Sequence, residues 1–168
     1  NRGIWGADMV KLLQKLLEEG LMDRQGLLKE PYFTRGIRIG DVLVTKEAVR
    51  AVQLAKGAIA AGIEILTESY GIRLSDISKV VLAGGFGYYL DPKAAATIGL
   101  LPKELTERTV TGGNTALSGA ALVGNRILTG QLQAWDDLRR WHELQIQILN
   151  LAEQEKFTET FLKRMDFC

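Results

Sequence analysis

One cysteine, Cys168, and one histidine, His142, are all that 168 residues offer of either type. A single thiol closes no internal disulfide and builds no cysteine-rich metal site, so a reducing, cytoplasmic setting is expected. Clean apolar runs are equally scarce. The most apolar stretch, Ala48 to Leu66, is broken by Arg50, Gln53, Lys56 and Glu64, short of the roughly 18–20 residues a bilayer span needs. The start shows no basic segment leading into an apolar one, which leaves secretion unsupported. Neither sign of charge prevails: 21 Lys and Arg face 20 Asp and Glu without clusters. That balance argues against a nucleic-acid binder. What remains is a globular composition, 46% apolar with mean hydropathy +0.02, in a chain long enough to bury a core. The first residue is Asn1 rather than Met, so a piece of a longer protein is expected.

Periodicity divides the chain into helices and short strands. Met9, Leu12, Leu13, Leu16 and Leu17 recur at helical spacing up to Gly20, predicting a helix over 9–19. A loop is expected to run from there to Gly40, and Val42–Val44 reads as a short strand. Thr45 is placed to cap a long helix reaching Tyr70, with Glu47 in its first turn. Ala48, Val52, Ala55, Ile59, Ile63 and Leu66 are its expected buried stripe. Gly57 and Gly62 interrupt that helix at about 1 kcal/mol each relative to Ala, which predicts close packing against another element. Lys79–Ala83 is a continuous apolar run, as in a parallel strand covered on both faces. Asp91-Pro92 opens a short helix ending near Gly99. A strand at Arg108–Thr111 precedes a helix capped by Asn114 that runs to about Thr129. Leu132–Arg164 is expected to be helical with a break near Asn150. Strands alternating with helices give an α/β fold class with helices in excess.

The candidate chemistry lies where the two apolar strands end, at Gly84-Gly85-Phe86-Gly87 and at Gly112-Gly113-Asn114. Glycines without Cβ let a ribose or phosphate approach the backbone, and a helix start beside them offers unpaired amides to an anion. The same pairs also serve as plain tight turns. No phosphate-loop motif exists, and Leu90 stands where a dinucleotide fingerprint needs its third glycine.

Taken together, Val81 through Pro92, Ile98-Gly99-Leu100-Leu101-Pro102, Gly113 through Ala120, Gln53-Leu54-Ala55-Lys56 and Phe157 through Phe161 resemble the C-terminal ATPase-type domain of the reductive activators of corrinoid enzymes. The likeness covers nearly the whole chain. It implies the helix-rich half of a ribonuclease-H-like, two-lobed ATPase fold of the actin and sugar-kinase superfamily. On that reading 1–168 is one domain, the C-terminal segment of a larger protein. Residues 1–130 form the core of the nucleotide-binding lobe, and C-terminal helices over 131–168 pack on it. The resemblance implies contacts to a nucleotide from Gly84, Gly85, Phe86, Gly87, Gly113 and Asn114. Gln53 and Lys56, one turn apart on the long helix, would reach the ribose; the other reading of that pair is a solvated helix face. ATP with Mg²⁺ is the implied cofactor, and a 2Fe–2S cluster is implied outside this chain. The implied task of the intact protein is to restore Co(I) in a corrinoid protein or corrinoid methyltransferase, with a homodimer possible.

Where that family shows Gly-Ile-Cys-Gly-Ser-Gly near its amino end, this chain has Gly3-Ile4-Trp5-Gly6-Ala7-Asp8, followed by Lys11 in place of a helix acid. A carboxylate beside a phosphate repels it unless a cation lies between. The alternative expectation is therefore a partner-binding domain that keeps the fold without ATPase activity. A third is a radical-dehydratase activator or sugar-kinase relative. No catalytic or metal-ligating residue is assigned within the chain, and the segment alone is not expected to be active. His142, beside Trp141, is read as a surface or packed residue, and Trp135 as packing. Asp136-Asp137 and Arg139-Arg140 read as a solvated charge pattern. Phe157, Phe161 and Met165 recur at four-residue steps, as a face docked onto the core.

Overall fold

The computed structural model describes residues 6–131, 139 and 147–168. Gly3–Trp5, Trp135, Asp136, Asp137, Arg140, Trp141 and His142 lie outside the described residues. Helix α1, Gly6–Glu18, begins three residues earlier than its apolar pattern and buries Ala7, Val10, Leu13 and Leu16. Strands β1, Ile37–Ile39, and β2, Val42–Val44, form an antiparallel hairpin in which Ile37 faces Val44. Only β2 is legible from apolar content. The sequence places β1 in a loop because it is three residues long and flanked by Gly36 and Gly40, both at positive φ.

Helix α2, Lys46–Tyr70, has the expected ends. Thr45 accepts a hydrogen bond from the Ala48 amide, and Gly71 closes the helix at φ 67 with its N–H on the carbonyls of Thr67 and Glu68. Its buried face is not the expected stripe. Val49, Gln53, Lys56, Gly57, Ala60, Ala61 and Ile65 point inward, while Ala55, Ile59 and Leu66 are exposed. The helix is turned by about one residue, roughly 100°, because its two glycines mark the approach of the C-terminal segment. A Cβ on Gly57 would lie 3.3 Å from Met165 Cγ, and one on Gly62 would lie 3.2 Å from Leu151 Cδ1.

Strands β3, Val80–Ala83, and β4, Thr109–Gly113, pair in parallel, with Ala83 opposite Gly113 after a register irregularity at Leu82/Ala83. The expected burial on both faces is not found: Val80 and Leu82 are half-buried while Val81 is 51% exposed. Among the described residues this sheet is two strands wide. Gly84-Gly85 does not make a free turn but opens a helix at once, α3, Gly84–Tyr89. Helix α4, Pro92–Thr97, is capped by Asp91, whose carboxylate accepts from the amides of Lys93 and Ala94. Helix α5, Thr115–Leu128, is capped by Asn114.

After residue 146 the expected helical stretch with a break near Asn150 is found only in part: 147–150 are not helical. Asn150 accepts from the Ala152 amide and starts a short 3₁₀ turn, Leu151–Glu153, and helix α6 spans Phe157–Lys163. Phe157 and Phe161 stack at 5.9 Å, and α6 docks on α2 through Phe161, Met165 and the Arg164–Glu64 ion pair at 2.7 Å. The core gathers Leu13 and Leu16 of α1, Val44, Val49, Ala94, Ile98, Leu105 and Phe167. No helix among the described residues is long and apolar enough to cross a membrane.

Candidate nucleotide-facing bends

Parallel pairing puts the carboxyl ends of β3 and β4 side by side, which is where an α/β sheet opens its ligand crevice. Ala83 lies opposite Gly113, so the bend at Gly84 (φ 81) and the bend at Gly113 (φ 70) are neighbours. Both conformations lie in the region that side chains disfavour. The space above them differs from residue to residue. Among the described residues, nothing beyond the adjoining backbone lies within 4 Å of where a Cβ would stand on Gly84 or Gly85, and at Gly113 the nearest such atom belongs to the Tyr88 ring, at 3.7 Å. Gly112 is closed: a Cβ there would meet Val81 Cγ1 at 2.8 Å. Gly87 is buried, and a Cβ on it would press on the Leu82 backbone at 3.0 Å. Its missing side chain therefore lets α3 fold back on β3. Phe86 is directed toward α1, its ring 3.1 Å from the Cβ position of Gly6. The Asn114 oxygen accepts from the Leu117 amide at 3.1 Å, and the preceding amides of this 14-residue helix have no intrahelical acceptor.

Gln53 and Lys56 lie on the inward face of α2, engaged with the loop after α1 and the C-terminal segment. They are 3% and 1% exposed, which rules out a solvated face. Gln53 Nε2 donates to the Gln25 carbonyl at 2.9 Å and to the Met165 carbonyl at 3.5 Å. Lys56 Nζ donates to the Asp166 carbonyl and lies 5.4 Å from the centroid of the Phe167 ring. Burial pulls the Lys56 amine down to about 8; Cys168 and Asp166 oppose that shift and Arg164 adds to it. Among the described residues, the hydrogen-bond and ring partners of the two side chains are Gln25, Met165, Asp166 and Phe167, not the glycine bends. The signal that could have shown this was Gly57, one residue beyond Lys56 and four beyond Gln53 on the same helical face.

A cavity of about 300 Å³ lies between α2, the stretch after α4 and the C-terminal segment. Ala60, Ile63, Thr67, Leu101, Arg164 and Cys168 are among its lining residues, so it too is separate from the bends. Among the described residues no three His, Cys, Asp or Glu side chains converge as a metal site.

Comparison with known proteins agrees with this architecture. A curated relative from Eubacterium limosum, "Corrinoid activation enzyme RamQ", is 49% identical over 82 residues, 49% of this chain and 14% of the relative. A solved structure named "Reductive activator for corrinoid,iron-sulfur protein" superposes with TM-score 0.80 at 27% identity, covering 98% of this chain and 28% of that one. The chain thus spans well under a third of either protein. Residues 1–168 match the family described as "C-terminal domain of RACo the ASKHA domain", and the chain belongs to that ASKHA-domain family.

Proposed function

We propose that this chain is the C-terminal nucleotide-binding portion of an ATP-dependent reductive activator, whose intact form returns a corrinoid protein to its reduced, active state. The observation that carries the reading is the pair of adjacent bends with open space over Gly84, Gly85 and Gly113. That space accepts a ribose or phosphate against bare backbone, and the amides at the start of α5 that Asn114 leaves uncapped suit an anion. The relatives' names, each describing a corrinoid activator, support the substrate class.

These residues fit a nucleotide, and their part is to hold and orient it. Gly84, Gly85 and Gly113 set the approach, and Asn114 fixes the helix start at the end of the second strand. ATP supplies the free energy by binding one arrangement of the intact protein more tightly than another. Mg²⁺ and the 2Fe–2S cluster belong to the parts of the protein outside this chain. No three His, Cys, Asp or Glu side chains converge among the described residues, and the carboxylate of Asp8, exposed in the first turn of α1, disfavours a bare phosphate there. That carboxylate is also what favours the second reading, a partner-binding domain of the same fold without ATPase activity.

Gly85→Val separates the two. Gly85 has ordinary φ and nothing within 4 Å of its Cβ position, so the protein accommodates a side chain that fills the crevice. In the full-length protein, ATP with Mg²⁺ should raise the melting temperature of the wild type and leave Gly85→Val unshifted. An equal shift in both removes the bends as the site, and no shift in either favours the partner-binding domain.

A further inference from the structure

Three stretches distant in sequence converge on one turn of α2. Gln53 bonds to the carbonyls of Gln25 and Met165, and Lys56 bonds to that of Asp166. The Phe167 amide donates to the Arg24 carbonyl at 2.8 Å. Gly26, at φ 81, admits the loop, since a Cβ there would lie 2.8 Å from Gln53 Nε2. Gly99, at the end of α4, admits the chain terminus: its Cβ position is 2.7 Å from Cys168 Sγ and 3.3 Å from Lys56 Nζ. Met165 and Phe167 are buried, at 6% and 2%, whereas Asp166 and Cys168 between and beyond them are exposed.

From this arrangement we infer that Met165–Cys168 is a releasable strap, and that Gln53 and Lys56 are the positioning residues that clasp it. Both clasp bonds end on backbone carbonyls of the strap, so they fix its register whatever its side chains are. Two apolar residues in their place would bury more cheaply, because a buried amine gives up its hydration. The polar pair makes a seat that water can replace, so the strap can leave while α2 stays folded. Cys168 and Arg164, at the strap's end and root, line the 300 Å³ cavity. Release would therefore open that cavity on the side now lined by Arg164 and Cys168.

Hydrogen exchange on the full-length protein tests the clasp. Lys56→Met and Gln53→Leu each remove hydrogen bonding to the strap, and exchange in the peptide covering 164–168 should speed up about tenfold. Leu105→Ala, a core truncation outside both the strap and its clasp, separates the clasp from general loosening, since it should raise exchange throughout the core together. Unchanged strap exchange in both clasp variants overturns the inference. So does a loss of ATP affinity with the strap still protected, which would return Gln53 and Lys56 to the nucleotide. The exchange measurement decides even in a protein that binds no nucleotide, so it stands apart from the Gly85→Val experiment.

Discussion

Lys56 is an ammonium-bearing side chain lodged where the core expects an alkyl group, and its titration follows from that. The amine titrates at 10.5 when unperturbed and at about 8 in the fold. Between those values the unfolded chain holds a proton that the folded one lacks, so folding stability rises with pH from about 8 to about 10.5. Below 8 both states are protonated and the group contributes no slope. The full rise is on the order of 3 kcal/mol. Denaturant unfolding across that window should show it as a difference between the wild type and Lys56→Met, because other titrating groups cancel. A flat difference would mean that water reaches the amine. None of this is legible from Lys56 as a letter. A lysine four residues before an alanine on a helix reads as solvent-facing, and the burial is set by residues 165–168, more than a hundred positions away. The glycines carried the available hint. Gly57 and Gly62 mark an approach that a stripe of larger apolar residues cannot accommodate, and Gln53 and Lys56 lie on that side.

Helix ends were the most legible local feature, since a cap is chemistry confined to four or five neighbours. Thr45, Gly71, Asp91-Pro92 and Asn114 all do what their sequence context dictates. The cap at α4 has the largest consequence. This helix is six residues long, buries Ala94, Ala95 and Ala96, and leads to the Gly99 turn on which Lys56 and Cys168 rest. So short a helix has little stability of its own. Asp91 accepts from two of its free amides, at 2.9 and 3.3 Å. Asp91→Ala should lower the unfolding free energy by about 1 kcal/mol, and Asp91→Asn should retain most of it. Equal losses in the two would show that charge, rather than the cap bond, is what α4 needs. Strand β1 was illegible for the opposite reason. Its three residues gain their conformation by pairing with β2, and neither the pairing nor the twist is written within Ile37–Ile39. The C-terminal break near Asn150 was legible, but the turn that follows the 3₁₀ segment and leads into α6 is fixed by docking to α2.

The glycine bends were legible as residues, while their adjacency was not: it required the register that sets Ala83 against Gly113. The same sheet shows a mismatch between pattern and surroundings. Its strands are parallel, and parallel strands normally lie covered on both faces, yet Val81 and Val110 are 51% and 42% exposed. Helix α5 has no buried residue, and Leu122 on it is 54% exposed. The apolar run of β3 suits a strand at the interior of a wider sheet, and the chain spans 28% of the activator structure it matches. The expected resolution is that the rest of the intact protein covers β3, β4 and α5. Burying a leucine contributes roughly 1.5–3 kcal/mol, and a carboxylate in its place adds a desolvation cost. Leu122→Glu should therefore destabilise the full-length protein by about 2 kcal/mol or more. In the 168-residue chain alone the same change should stay within about 0.5 kcal/mol, as for an exposed site. Small, equal effects in both would mean that α5 faces solvent in the intact protein. In that case the second wall of the proposed nucleotide crevice could not come from a neighbour packed on this helix, and would have to be built at the bends themselves.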